Sequence, residues 1–263
     1  MDEFGRIMDF ARWFFEASST RTEVTRFGTA YFNDEFPIRY NANLLFADRI
    51  APATPEDVAA ELDRLLGGYV HRKVLLSEDE GVRLAAGICA LGYVGEKVVS
   101  MVQHGEPDRL GQLDLVEEID HAGRRAVLMD IYQREEWGRA PGVAEALSEF
   151  PGWLQEKIGA RFFVQRIDGV IAGTCELYVH DQMAQVESVD TLEEFRGRGV
   201  ARNIVLRAAA EGRAAGAELV FIEADADDWP QQLYQRLGFE HVGAYRGFLK
   251  APFGSPPVGS EPA

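Results

Sequence analysis

The stretch "EEFRGRGVARNIVL", residues 193–206, sets two glycines and three arginines at the mouth of a segment with helical spacing. Glycine weakens a helix and neighbouring arginines repel one another, so folding alone gives little reason for it. A helix N-terminus offers unpaired N–H groups and the positive end of the macrodipole, and glycine lets that backbone approach an anion closely. The chemistry in question is therefore the binding of phosphate. A Walker loop needs Gly-Lys-Ser/Thr where this chain has Gly199-Val200-Ala201. A dinucleotide fingerprint needs glycine where Arg202 stands, and a tight strand-to-helix turn where "LEEF" intervenes. A third pattern, Arg/Gln-x-x-Gly-x-Gly/Ala, is met by Arg196, Gly199 and Ala201.

Other reactive residues are sparse. The two cysteines, Cys89 and Cys175, form no CxxC pair and lie in apolar stretches, which predicts buried, inert thiols. The five histidines show no HExxH spacing, and no metal site is expected.

The elements that must position the glycine-rich stretch follow from periodicity and punctuation. "QLDLVEEID" reads as a strand and "GRRAVLMDIYQREEWG" as a helix. A second helix around "GVAEALSEFPGWLQEKIG" should break or kink at Pro151 and Gly152. "ARFFVQRI" and "VIAGTCELYV", joined by Asp168-Gly169, predict a hairpin. "AQVESVDT" predicts a strand, then comes a helix from about Val200 to Ala215, and "AELVFIEA" suits a buried strand. In "ADADDWPQQLYQRLGF", Asp228 is placed to cap a helix with Pro230 in its first turn, ended by Gly238. This is a mixed α/β order.

Residues 71–102 and 217–250 share a pattern: apolar strand, acidic turn, helix ending in Leu-Gly-aromatic, strand. The pattern suggests a duplicated fold whose first copy lacks any counterpart of "RGRGVA". "HGEPDRLGQLD", residues 104–114, reads as a linker, and "APFGSPPVGSEPA", residues 251–263, as a disordered tail. The expected division is thus 1–106, 111–250 and 251–263. Phe4, Ile7, Met8, Ala11, Phe14 and Phe15 place a leading amphipathic helix before the first copy.

"VDTLEEFRGRGVA" after a strand, then "RAAGAELVFIEAD", then "LYQRLGF", resembles the GNAT superfamily of acetyl-CoA-dependent N-acetyltransferases in residues and spacing, over roughly 113–250. The resemblance implies a GNAT acyl-CoA N-acyltransferase fold in two tandem copies, with a degenerate N-terminal half and acetyl-CoA as cosubstrate. It implies that the amides from Arg196 through Gly197, Arg198, Gly199, Val200 and Ala201 to Arg202 hold the CoA pyrophosphate. It further implies that the main chain of Val189, Asp190 and Thr191 pairs with pantetheine, and that Tyr234 protonates the leaving thiolate. Glu187 is the candidate general base, because Gln185 stands where some members carry a catalytic glutamate and an amide cannot take a proton. In the first copy Ile88 occupies the place of Tyr234.

Each assignment has a structural rival. Tyr234 could serve packing, Glu187 could face solvent, and Arg196, Arg198 and Arg202 could pair with Glu193, Glu194 and solvent. Trp229 could line an acyl pocket or the core, and Asp227 stands where many members have asparagine. The functional expectation is direct acetyl transfer to a primary amine of a small molecule, lodged between the two copies. A non-catalytic acyl-CoA sensor or scaffold module is the alternative.

The composition is compatible with this. At 263 residues and 46% apolar, the chain can bury a sizeable core. A formal net charge of -16 argues against nucleic acid, which needs a basic footprint, and favours a cationic partner. The N-terminus lacks the basic start and unbroken apolar run of a signal peptide, and no stretch suits a membrane span; a cytoplasmic protein is expected. The apolar leading helix could dock on the body or form a homodimer, and the sequence leaves both open.

Overall fold

The computed structural model describes residues 2–251. In chain order the first half holds α1 (Glu3–Ser18), β1 (Arg21–Val24), β2 (Thr29–Phe32), β3 (Leu44–Ala47), α2 (Pro55–Leu66), β4 (Arg72–Ser77), α3 (Glu78–Ala90) and β5 (Val94–Gln103). The second holds β6 (Val116–Ile119), α4 (His121–Arg134), α5 (Val143–Ser148), α6 (Phe150–Ile158), β7 (Arg161–Ile167), β8 (Val170–His180), β9 (Met183–Thr191), α7 (Val200–Ala214), β10 (Leu219–Asp225), α8 (Pro230–Arg236) and β11 (Phe239–Lys250). The order is mixed α/β, as the periodicity predicts.

The chain forms two compact units that are not contiguous in sequence. One contains 11–99 together with the end of β11 from Ala244; the other contains the chain up to Phe10 and 100–243. β5 and β11 each supply residues to both units. The tail at 252–263 lies outside the described residues.

In the first unit β1, β2 and β3 are antiparallel neighbours, β3 runs parallel to β4, and Tyr245–Lys250 of β11 pairs antiparallel with β4. Val74 and Leu76 of β4 point into a core with Leu45, Leu62, Leu66, Leu84 and Ile88. The hairpin β1–β2 carries no period-2 apolar signal: its first strand, "RTEV", is largely exposed, and the sequence reading passes over it.

In the second unit β6–β7–β8–β9 are successive antiparallel neighbours, and β9 runs parallel to β10. The hairpin turn is Asp168 (φ 52°) and Gly169 (φ 80°), both left-handed as a two-residue turn demands. Two local expectations are corrected. The break between α5 and α6 falls at Glu149, and Pro151 sits in the first turn of α6, where its missing N–H is harmless. Asp228 does not cap α8 in the usual way: Trp229 holds the cap position, and Asp228 Oδ1 accepts from the Trp229 N–H at 2.7 Å.

The two halves repeat a local design. β3–α2–β4 and β9–α7–β10 are each a parallel strand pair with the helix between them in sequence. α3 and α8 both end in Leu-Gly, Leu91-Gly92 and Leu237-Gly238, with glycine φ of 88° and 86°. The copies differ at the helix that follows the first strand. α2 is closed by a capping box: Thr54 Oγ1 accepts from the Asp57 N–H, Asp57 Oδ2 accepts from the Thr54 N–H at 3.0 Å, and Pro55 in the first turn has no N–H to offer. Thr54→Ala should therefore destabilise the protein by about 1 kcal/mol, measured as a shift in the urea midpoint at unchanged slope.

Candidate active site

The helix that matches α2 in the second half is left open. Its N-cap, Gly199, has φ 82° and no side-chain cap, and the first helical bond runs from the Asn203 N–H to the Gly199 carbonyl at 3.1 Å. Gly197 is also left-handed, at φ 74°. A Cβ added at either glycine would meet nothing within 4 Å, so these positions are glycine for their backbone conformation and not for packing. The opening stretch thus presents the N–H groups of the first turn of α7 to a cleft of about 530 Å³.

The opposite wall is β9. It is in register with β10 over Met183–Val186 and Leu219–Ile222, and no further pairing joins the two strands. On its other edge, Glu176 of β8 faces Glu187, but Thr174 faces Asp190, so the register slips by one residue. The extra residue makes a bulge at Ser188–Val189, with Ser188 at φ 50°. Past the bulge, Val189, Asp190 and Thr191 line the cleft. A serine in the left-handed region carries no sequence signature of its own, so the bulge was not legible beforehand.

Tyr234 closes one end. It is 6% exposed, packs 6.2 Å from the Phe239 ring, and lines the cleft beside Trp229 and Leu233. Burial, followed by the charges of Glu187 and Asp190, raises its pKa well above the ordinary phenol value. The hydroxyl keeps its proton at neutral pH and is available as a hydrogen-bond donor or acid. Glu187 is half-buried, and its Oε2 accepts from Gln185 Nε2 at 2.8 Å. Gln185 thus contributes as a neighbour of the candidate base rather than as the base.

The arginines divide. Arg196 lines the cleft, as do Arg109 and Arg134, which the sequence reading did not single out. Arg198 is not among the lining residues; its guanidinium lies over the Phe195 ring at 5.5 Å. Arg202 also lines the cleft but is buried, and its Nη1 is engaged by Asp108 Oδ1 at 2.6 Å and by the Arg109 carbonyl at 3.0 Å.

Of the cysteines, Cys175 is buried, and burial pushes its thiol pKa up, as an inert group requires. Cys89 is exposed, contrary to the expectation from "GICAL": it lies on the outer face of α3, whose inward positions are Leu84 and Ile88. Among the described residues no group of three or more His, Cys, Asp or Glu could hold a metal ion. No helix among them is long and apolar enough to cross a membrane.

The residues present suit an acyl-CoA: a helix N-terminus with no side-chain cap and two left-handed glycines for a pyrophosphate, and cleft-lining strand residues past the end of the β9–β10 register for an amide-bearing arm. Comparison with known proteins agrees. Residues 126–239 match the model of the acetyltransferase (GNAT) family. A functionally unknown conserved protein from Staphylococcus epidermidis has a similar structure, with TM-score 0.66 and 15% identity over 87% of this chain and 92% of that one. A GCN5-related N-acetyltransferase from Kribbella flavida gives 0.58 and 18% over 94% and 95%. One from Sphaerobacter thermophilus gives 0.53 and 15% over 89% and 79%. At such identities the likeness is one of fold. No curated protein sequence matches. The chain has a GNAT fold, and its residues 126–239 form a domain of the acetyltransferase (GNAT) family.

Proposed function

We propose that the protein transfers an acetyl group from acetyl-CoA directly to a primary amine of a small molecule, in the cytoplasm. The observation that carries this reading is the convergence, in one cleft, of the uncapped α7 N-terminus, the bulged end of β9 and the buried hydroxyl of Tyr234. In this reading residues 111–250 are the catalytic domain and 1–106 a copy that has lost the anion site. The capping box of Thr54 and Asp57, which places a carboxylate where a phosphate would sit, supports that division. The net charge of -16 supports a cationic acceptor.

Acetyl-CoA supplies the acetyl group as a thioester. The amides from Arg196 to Arg202 hold its pyrophosphate, and the main chain of Val189–Thr191 orients the arm that bears it. Glu187 takes a proton from the acceptor's ammonium, directly or through water, so that the amine can attack. As the new C–N bond forms and the C–S bond breaks, Tyr234 gives its proton to the departing sulfur, and the proton shed by the acylated nitrogen restores the Tyr234 hydroxyl, directly or through water. Burial of Tyr234 suits this, since an already ionised phenol has nothing to give.

Thermal unfolding with acetyl-CoA at a hundred times its dissociation constant should add about 2.7 kcal/mol to the wild type. Gly199→Glu, which strains the left-handed cap and sets a carboxylate at the anion site, should remove that gain. A wild type indifferent to acetyl-CoA would sink the reading. Tyr234→Phe should keep the ligand response and lower kcat by a hundredfold or more, on the order of the acid–base contribution; a sensor would have no turnover to lose.

The buried phenol also predicts an alkaline signature. A raised folded-state pKa means the neutral form is favoured by folding. That contribution is fully present below the ordinary phenol value of about 10 and is lost as pH rises through the higher folded value. Above pH ~10 the wild type should lose stability relative to Tyr234→Phe, read as diverging urea midpoints between pH 8 and 11.

A further inference from the structure

The second unit buries one complete ionic network that the reaction does not use. Arg124 of α4 is fully buried, at 0% exposure, and all its guanidinium nitrogens are engaged. Nε and Nη2 donate to Glu176 Oε1 at 3.0 and 2.7 Å, and Nη1 donates to Thr174 Oγ1 at 2.8 Å. Thr174 passes its own proton to the Phe163 carbonyl at 2.8 Å, and the Tyr178 hydroxyl donates to Glu176 Oε2. Burial works against the charged guanidinium, but Glu176 and, next, Asp190 outweigh it, so Arg124 stays charged.

Stability alone is a weak reason for such a network, because a buried ion pair can often be replaced by apolar groups of similar volume at no loss. Its position is more informative. Thr174 and Glu176 are the two β8 residues that straddle the register slip: the first faces Asp190, the second faces Glu187, and Cys175 between them faces the bulge. Both carry side chains to the same partner on the same helix. A bulge leaves one residue unpaired, and freedom to form it one residue further along would turn the intervening side chains to the other face. Holding Thr174 and Glu176 at a fixed spacing to one rigid guanidinium removes that freedom from the β8 side.

We infer that Arg124 is a positioning residue: by clamping Thr174 and Glu176 it fixes the bulge at Ser188–Val189, and with it the place of Glu187 on β9 and of the Val189–Thr191 segment that lines the cleft. This rests on the acetyl-transfer reading for its consequence in catalysis, but not for the clamp itself.

The test uses two variants of the full chain. Arg124→Met with Glu176→Leu removes both charges together, which leaves no unpaired buried ion; Arg124→Lys keeps the charge but loses the fork that reaches Thr174 and Glu176 at once. The ligand-free readout is amide hydrogen exchange. The clamp predicts exchange at least tenfold faster over 173–176 and 187–192 in both variants, with protection elsewhere in β7 and α7 unchanged. Uniform loss of protection, or none, in the double variant would overturn it, since the network would then be a structural pair like any other. With acetyl-CoA, the same variants should show at least a tenfold higher KM for the donor and a lower kcat. An unchanged KM and kcat beside faster exchange would overturn the catalytic consequence. Failure of the wild type to bind acetyl-CoA would instead count against the acetyl-transfer reading, and the exchange data would still decide the clamp.

Discussion

A parallel strand pair that is hydrogen-bonded for four residues and then unpaired sets the terms for the rest of the second unit. The β9–β10 register ends at Val186 and Ile222, while the other edge of β9 is still tied to β8. Unpaired backbone polar groups in a folded interior must find partners in solvent or in a ligand. The chain reaches α7 through two left-handed glycines, and no side chain at its N-cap closes the first turn. Main chain from both elements lines the cleft, and in the proposed reading Tyr234 and Glu187 add a proton donor and a carboxylate to a shape the backbone already makes.

The two halves show how little is needed to close such a site. β3–α2–β4 has the same parallel pairing, and α3 ends in the same Leu-Gly turn as α8. What differs is chemical. Thr54, Pro55 and Asp57 consume or delete the N–H groups of the first turn of α2 and leave a carboxylate there, its charge held by two hydrogen bonds from Thr54. At the position equivalent to Tyr234 the first half carries Ile88, buried in its core. The proposed anion site and proton donor have no counterpart there, yet the local fold is shared, because the core of that half is built on residues such as Leu45, Leu62 and Val74.

Legibility in the sequence followed the same division. The glycine-rich stretch could be read because left-handed backbone at a helix cap demands glycine, and Gly197 and Gly199 advertise it. The Asp168-Gly169 hairpin, the apolar β10 and the Leu-Gly endings are likewise short-range signals. The bulge at Ser188 was not readable, since serine has no preference that betrays φ 50°; only its pairing with β8 creates it. The turning of Arg202 toward Asp108 and of Arg198 over Phe195 was also hidden, because an arginine's direction depends on partners far away in sequence. The exchange of strand ends between the units is hidden for the same reason: β5 and β11 look like ordinary closing strands, and nothing local says which core each half will join.

Arg124 is the clearest case of a residue whose meaning is wholly tertiary. In sequence it is one of two adjacent arginines on a helix, and its neighbour Arg125 pairs with Glu149 at the surface, as exposed arginines usually do. Helical geometry alone sends the two side chains about 100° apart, so that one must face the sheet. A buried guanidinium is tolerated only if every donor is used, and β8 supplies partners at alternate positions, Thr174 and Glu176, with Tyr178 completing the carboxylate. Those alternate positions are the ones whose β9 partners are Asp190, Glu187 and Gln185. The side of the sheet that must be held still is thus the side on which the buried charge sits. A helix that packed there through leucines alone would bury as much surface, but it would have no directional hold on where along β8 the register slips.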